Sequence, residues 1–128
     1  MEEYLYNDLT HAIIGIAYKV YNTLGYGVRE QYVHRAFSSE FDAVKLPYVH
    51  EFPISLIYNG KKIGDYRLDF IVDDKVIVEI KIVPVMKQAH IKQALEYLRT
   101  TKKKLALLIF FTPQCVQIKR IILPDKSR

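Results

Sequence analysis

Residues 67–81 read RLDFIVDDKVIVEIK, and the way this stretch doubles back on itself decides the fold. Apolar residues recur with the period of strands on both sides of Asp73-Asp74-Lys75, so the triplet is a turn. With three residues in the loop, Val72 falls opposite Val76, Phe70 opposite Val78 and Leu68 opposite Ile80, all on one apolar face. The same register sets Ile71 opposite Ile77, Asp69 opposite Glu79 and Arg67 opposite Lys81 on the other face. A two-residue loop would set Asp69 against Val78 and scramble both faces, so the apolar pattern selects the three-residue register.

The register has an electrostatic cost. Two carboxylates ~5 Å apart at an effective dielectric of ~20 repel by roughly 3 kcal/mol. A protonated acid, the ammonium of Lys81 on the same face, or a hard divalent cation held by oxygen ligands would each offset it. An ammonium beside a metal can orient a water or stabilise charge developing on a phosphate. The alternative is a solvated strand face with salt bridges among Arg67, Asp69, Glu79 and Lys81.

Working outward, Tyr48 to Tyr58 and Lys62 to Val72 are β-branched and aromatic-rich strands, and Asn59-Gly60 between them is a hairpin turn. Val76 to Ile82 completes a three-stranded antiparallel meander. Pro84 closes that strand, and Met86 to Thr100 returns to helical spacing through Ile91, Ala94, Leu95 and Leu98. Leu105 to Phe111 is a solid apolar run, a buried strand, and Val116 to Leu123 is a last edge strand. The strand-helix-strand crossover makes the pair formed by the strands at 76 and 105 parallel in an otherwise antiparallel sheet. Upstream, Leu5, Leu9, Ile13, Ile16, Val20 and Leu24 stand three or four apart, which predicts a helix over 4–24 that stops at Gly25. A second helix follows the Gly25-Tyr26-Gly27 corner, from Val28 to about Ala43, burying Val33, Ala36, Phe37 and Phe41. The expected class is therefore α/β, with an α+β mixed sheet: two N-terminal helices, the meander, a crossover helix and one or two further strands.

The 128 residues and 15.0 kDa suit one domain over 1–128, since two cores would have only about 64 residues each. Half the residues are hydrophobic and 26% are charged, which excludes a disordered or collagenous chain. No apolar run approaches the ~20 residues of a membrane span, and the acidic start MEEYLYNDLT does not suit a signal peptide, so the chain is expected to be cytoplasmic. One cysteine, Cys115, leaves no intrachain disulfide and no cysteine-built zinc site. The net charge of +5 permits a polyanionic partner.

Asp69, nine intervening residues, then Glu79-Ile80-Lys81 resembles the D…ExK signature of the PD-(D/E)XK nuclease superfamily, with its restriction-endonuclease-like core. The stretch Leu24-Gly25-Tyr26-Gly27-Val28-Arg29-Glu30 resembles the opening of the small GxxExxY proteins of that superfamily, through Gly27 and Glu30. His90 and Gln93 resemble that family's helix after the ExK strand, and Ile118-Lys119-Arg120-Ile121 its terminal strand. One departure is plain: three residues after Glu30 stands Val33, with Tyr32 one position early, a rotation of about 100° on a helix. The resemblance implies a nuclease acting on DNA before RNA with Mg²⁺ or Mn²⁺. It implies Glu30, Asp69, Glu79 and the carbonyl of Ile80 as metal ligands, Lys81 as the catalytic lysine, and Gln93 facing the site in support of the acids or the phosphate. Without it, Glu30 is a solvated acid at a helix N-terminus. His90, Gln93 and Tyr97 form one polar stripe, whose alternative is a solvent face.

Lys102, Lys103 and Lys104, and Lys119 with Arg120, are the densest basic clusters and the candidates for phosphate contact; lysines flanking an apolar strand also guard against aggregation. Tyr4, Tyr6, Tyr18 and Tyr21 on the first helix suit packing or a homodimer interface before base stacking. The rival to the nuclease reading is a catalytically silent nuclease-fold domain that binds nucleic acid or protein, alone or as a homodimer.

Overall fold

The structure, a computed structural model, describes residues 5–124. The order is α1 (Asn7–Leu24), α2 (Glu30–Ala43), β1 (Tyr48–Tyr58), β2 (Lys61–Val72), β3 (Val76–Ile82), α3 (Gln88–Thr101), β4 (Leu105–Phe111) and β5 (Val116–Ile122). Every predicted element is present, with ends moved by one to three residues. Tyr4, the expected start of α1, lies outside the described residues. Arg29 precedes the first turn of α2, so that helix begins at Glu30 rather than Val28.

The five strands lie in sequence order, with β3 and β4 parallel and the other neighbours antiparallel. The α3 crossover makes the parallel step possible, since parallel neighbours need a long connection. All seven residues of β4 are buried because helices cover both faces of the sheet. On one face Ile13, Val20, Val33, Phe37 and Phe41 from α1 and α2 pack on Phe70, Val72, Val76, Val78 and Leu107. On the other, Ala94, Tyr97 and Leu98 of α3 pack on Leu68, Ile71, Ile77, Leu108 and Phe110. Gly25 and Gly27, at φ +75° and +98°, turn the chain between α1 and α2, and the Gly25 N–H donates to the carbonyl of Tyr21 at 2.7 Å. Asn59 and Gly60, at φ +50° and +74°, make the two-residue hairpin between β1 and β2. Among the described residues no helix is long and apolar enough to cross a membrane.

Candidate metal centre

The meander register holds at the turn and then breaks where the acids begin. Val72 pairs with Val76, Ile71 with Ile77 and Phe70 with Val78, as the apolar pattern requires. The ladder stops there, so the expected pairs Asp69 with Glu79, Leu68 with Ile80 and Arg67 with Lys81 do not form. Carboxylates replace the missing rungs: the Asp69 N–H donates to Glu79 Oε2 at 2.6 Å, and the Ile80 N–H donates to Asp69 Oδ2 at 2.7 Å. These side-chain oxygens satisfy two main-chain N–H groups that the ladder no longer pairs. The break also turns Leu68. It was expected beside Phe70 on one face, but it joins Ile71 and Ile77 in the core under α3, while Ile80 stays on the α2 side.

Helix α2 brings Glu30 and His34 to this gap. They stand four apart and so share one face of the helix. His34 is 7% exposed, and its Nε2 is buried without a hydrogen-bond partner. That atom lies 3.4 Å from Glu30 Oε1 and 3.5 Å from Asp69 Oδ2, too long and misdirected for a hydrogen bond to either. Ligand atoms of Glu30, His34 and Asp69 all lie within 4.8 Å of one another, the spacing of groups that converge on one cation. An orphaned imidazole nitrogen aimed between two carboxylates is what a divalent ion would satisfy, so these residues fit one. Glu30 is exposed and leaves the cluster open to solvent on that side.

Behind His34 stands His50 of β1, with His34 Nδ1 and His50 Nε2 2.9 Å apart. His50 is stacked on Phe70 at a centroid distance of 4.8 Å. Burial and the adjacent His34 lower the pKa of His50, against the smaller pull of Glu51 and Asp69. Neutral His50 accepts from His34 Nδ1–H, and that tautomer turns Nε2 of His34 toward the carboxylates. Burial by itself pulls His34 down, but the contact with Asp69 and the charges of Asp69, Glu30 and Glu79 outweigh it, leaving its pKa raised.

Glu79 is 3% exposed, and burial followed by repulsion from Asp69 pushes its carboxyl up to about 8. Its Oε1 lies 3.9 Å from Lys81 Nζ, which donates to Gln93 Oε1 of α3 at 3.1 Å. Glu79 therefore stands on the α3 side of Asp69, outside the Glu30, His34 and Asp69 cluster, with Lys81 and Gln93 beyond it. The rest of the predicted helix stripe divides. Tyr97 is buried in the core against Tyr66, not on a polar face, and burial and Glu79 raise its pKa. His90 turns back on its own helix, where its Nδ1 accepts from the Lys87 N–H at 3.3 Å.

The dense basic clusters divide: the run at 102–104 lies away from this centre, whereas Lys119 stands level with Glu79, two strands across, since Glu79 pairs with Leu108 and Leu108 with Lys119. Lys103 Nζ donates to the carbonyl and to Oδ1 of Asp74, both at 2.8 Å, pinning the lysine run to the β2–β3 turn. Three strand residues, Val76 to Val78, separate that turn from Glu79, so that Lys75 and Glu79 stand roughly 13 Å apart along the strand. Lys119 is exposed on β5. Arg120 points to the other face, donating to Thr10 Oγ1 at 3.1 Å and to the carbonyl of Leu5 at 3.0 Å, so its guanidinium ties β5 to α1. The tyrosines of α1 divide as well: Tyr21 donates its hydroxyl to the carbonyl of Thr112, whereas Tyr18 is exposed.

Sequence reading overlooked two of these groups. The Glu30-x-x-x-His34 spacing was a signal available on α2; His50 carries none, because it arrives from a separate strand.

Among curated proteins none matches the chain. Among solved structures, the crystal structure of SSO0001 superimposes with a TM-score of 0.57 at 21% identity, covering 76% of this chain and 52% of that one. The likeness is one of fold, and the present chain spans about half the length of SSO0001. The family model of the PD-(D/E)XK nuclease superfamily matches residues 7–121, from the first residue of α1 into β5, and the chain belongs to that superfamily.

Proposed function

We propose that the chain is a divalent-metal-dependent nuclease that hydrolyses phosphodiester bonds, in DNA before RNA, and that it is one of the small GxxExxY proteins. The observation that carries the reading is the buried, unpartnered Nε2 of His34 between the carboxylates of Glu30 and Asp69. The GxxExxY kinship rests on Gly27 at positive φ followed by Glu30 on the first turn of α2; Val33, in the place of the tyrosine, is a core residue.

In this reading Glu30, His34 and Asp69 hold the cation, with Glu79 and the Ile80 carbonyl as the further ligands expected from the sequence. When bound, the ion supplies a Lewis acid for the scissile phosphate and a lowered pKa for an attacking water. An imidazole in the donor set favours Mn²⁺ over Mg²⁺, which prefers oxygen throughout. Lys81 has three N–H groups; one is spent on Gln93 and one faces Glu79, so a third is free to hold a water or a phosphate oxygen. Glu79 keeps its proton near neutral pH while no cation is present. A positive charge beside Asp69 pulls that carboxyl down, so metal uptake releases a proton.

The test compares wild type with His34→Ala and Lys81→Ala on single-stranded, duplex and branched DNA in Mn²⁺ or Mg²⁺. Both variants should lose activity by roughly a hundredfold or more. Equal cleavage by all three proteins would sink the site. Millimolar Mn²⁺ should also raise the melting midpoint of wild type and leave that of His34→Ala unmoved.

A further inference from the structure

Strand β2 outruns its partner. It pairs with β3 only from Phe70 to Val72, so residues 61–68 pair with β1 alone and form a two-stranded ribbon past the level of Glu79 and Lys81. From Arg67 to Lys61 the ribbon advances about 20 Å, the rise of roughly six nucleotides of one strand. Arg67 and Lys61 are exposed and have no ion-pair partner among the described residues, whereas Lys62 is paired with Asp65 at 2.8 Å. On the other side of the site, α3 starts at the same end of the sheet, tied there by the bond from Lys81 to Gln93. Its opening carries Lys87 and Lys92, both exposed and likewise without an ion-pair partner among the described residues. Free cations on two separate elements thus flank a cluster of acids, the charge pattern that a phosphate chain crossing a bound cation would need.

We infer that the β1–β2 ribbon and the N-terminal end of α3 are the two nucleic-acid-binding arms of the molecule, Arg67 and Lys61 holding phosphates on one side of the metal centre and Lys87, just before the helix, and Lys92 on the other. The lysine run at 102–104 lies at the opposite end of the sheet and takes no part. A second copy of the chain is a poorer occupant of the ribbon. Pro53 and Glu51, the latter at φ +57°, interrupt β1 as a template for another strand, although Ile57, Tyr58 and Ile63 leave the ribbon tip partly apolar. The inference rests on the nuclease reading for its substrate class.

The experiment measures binding of fluorescein-labelled DNA, a duplex of about 20 base pairs and the corresponding single strand, by the full chain in EDTA across a salt series. Three double variants are compared: Lys61→Gln with Arg67→Gln, Lys87→Gln with Lys92→Gln, and Lys102→Gln with Lys104→Gln. Exposed positions should leave the melting midpoint unchanged, which checks folding. Each of the first two pairs should lose roughly tenfold in affinity at about 100 mM salt and flatten the slope of log K against log salt by about 2 on the duplex, while the third stays within about twofold of wild type. The inference is overturned if wild type binds neither probe, if the third pair loses as much as the others, or if the ribbon proves to be a dimer contact that Ile57→Lys dissolves. Loss of DNA binding as described in a protein that neither binds Mn²⁺ nor cleaves would defeat the nuclease reading alone. Cleavage and binding untouched by the first two pairs would defeat the arms alone.

Discussion

The two ends of the β2–β3 pair are built on opposite principles. At the turn, Phe70, Ile71 and Val72 face Val78, Ile77 and Val76 in a regular ladder, and all six side chains are buried in apolar cores. One residue further, the ladder gives way to Asp69 and Glu79, whose carboxylates hydrogen-bond across to main-chain N–H groups. The turn end gains stability from burial, which needs no counter-ion and hardly depends on pH. The acid end holds a carboxyl pushed up to about 8 and an imidazole nitrogen without a partner, a local arrangement that costs stability until something positive arrives. Under the proposed function, the chemistry belongs to the few residues where a strand pair stops behaving as a strand pair.

The comparison can be broken most severely at the turn end. Phe70→Ala should cost about 3–5 kcal/mol, read by chemical denaturation, because Phe70 is fully buried and its ring packs on Phe37 and Phe41 of α2 and on His50 of β1. At the acid end the sign reverses with pH. The folded Glu79 carboxyl keeps its proton up to about 8 against an ordinary value of 4.5, so between those values the folded state binds more protons and stability falls as pH rises. His34, also raised, adds to the same trend. Glu79→Gln should remove most of that slope in metal-free protein, a gain of a few kcal/mol near pH 8 on the scale of 1.36 kcal/mol per pKa unit. A melt series from pH 5 to pH 8 that is equally steep in both proteins would refute it.

A smaller effect sharpens the contrast through His50. His50→Phe keeps a ring on Phe70 but removes the acceptor for His34, so Mn²⁺ affinity by titration calorimetry should fall about 10–100-fold with little change in metal-free stability. His50→Gln, which restores an acceptor, should recover much of it. The smallest effect belongs to the exposed turn. Asp74 is held below the usual carboxylate range by its hydrogen bond and charge pairing with Lys103, yet it is fully exposed, and Asp74→Asn should not measurably shift the melting midpoint.

Much of this was legible in residues 67–81. The alternation around Asp73-Asp74-Lys75 selected the three pairs observed, because a slip of one would have put Ile71 and Ile77 on the wrong face. The failures of that reading begin at Asp69, where side-chain acceptors compete with the ladder; alternation alone carries no account of such competition. Tyr97 was misplaced for a related reason: spacing on α3 divides the helix into faces, but the width of the sheet beneath it decides how far around burial extends. Arg120 read as a free cation, and only the packing of α1 over β5 shows its guanidinium engaged.

The amino-acid sequence by itself determined the order of elements, the parallel crossover, the meander register at its turn and the proximity of Asp69 to Glu79, since these follow from hydrophobic periods and turn chemistry acting over short stretches. The meeting of Glu30, His34 and His50 with Asp69 was decided by tertiary structure. Those residues come from a helix and two strands, and what unites them is the packing of α2 on Phe70, which no local period encodes.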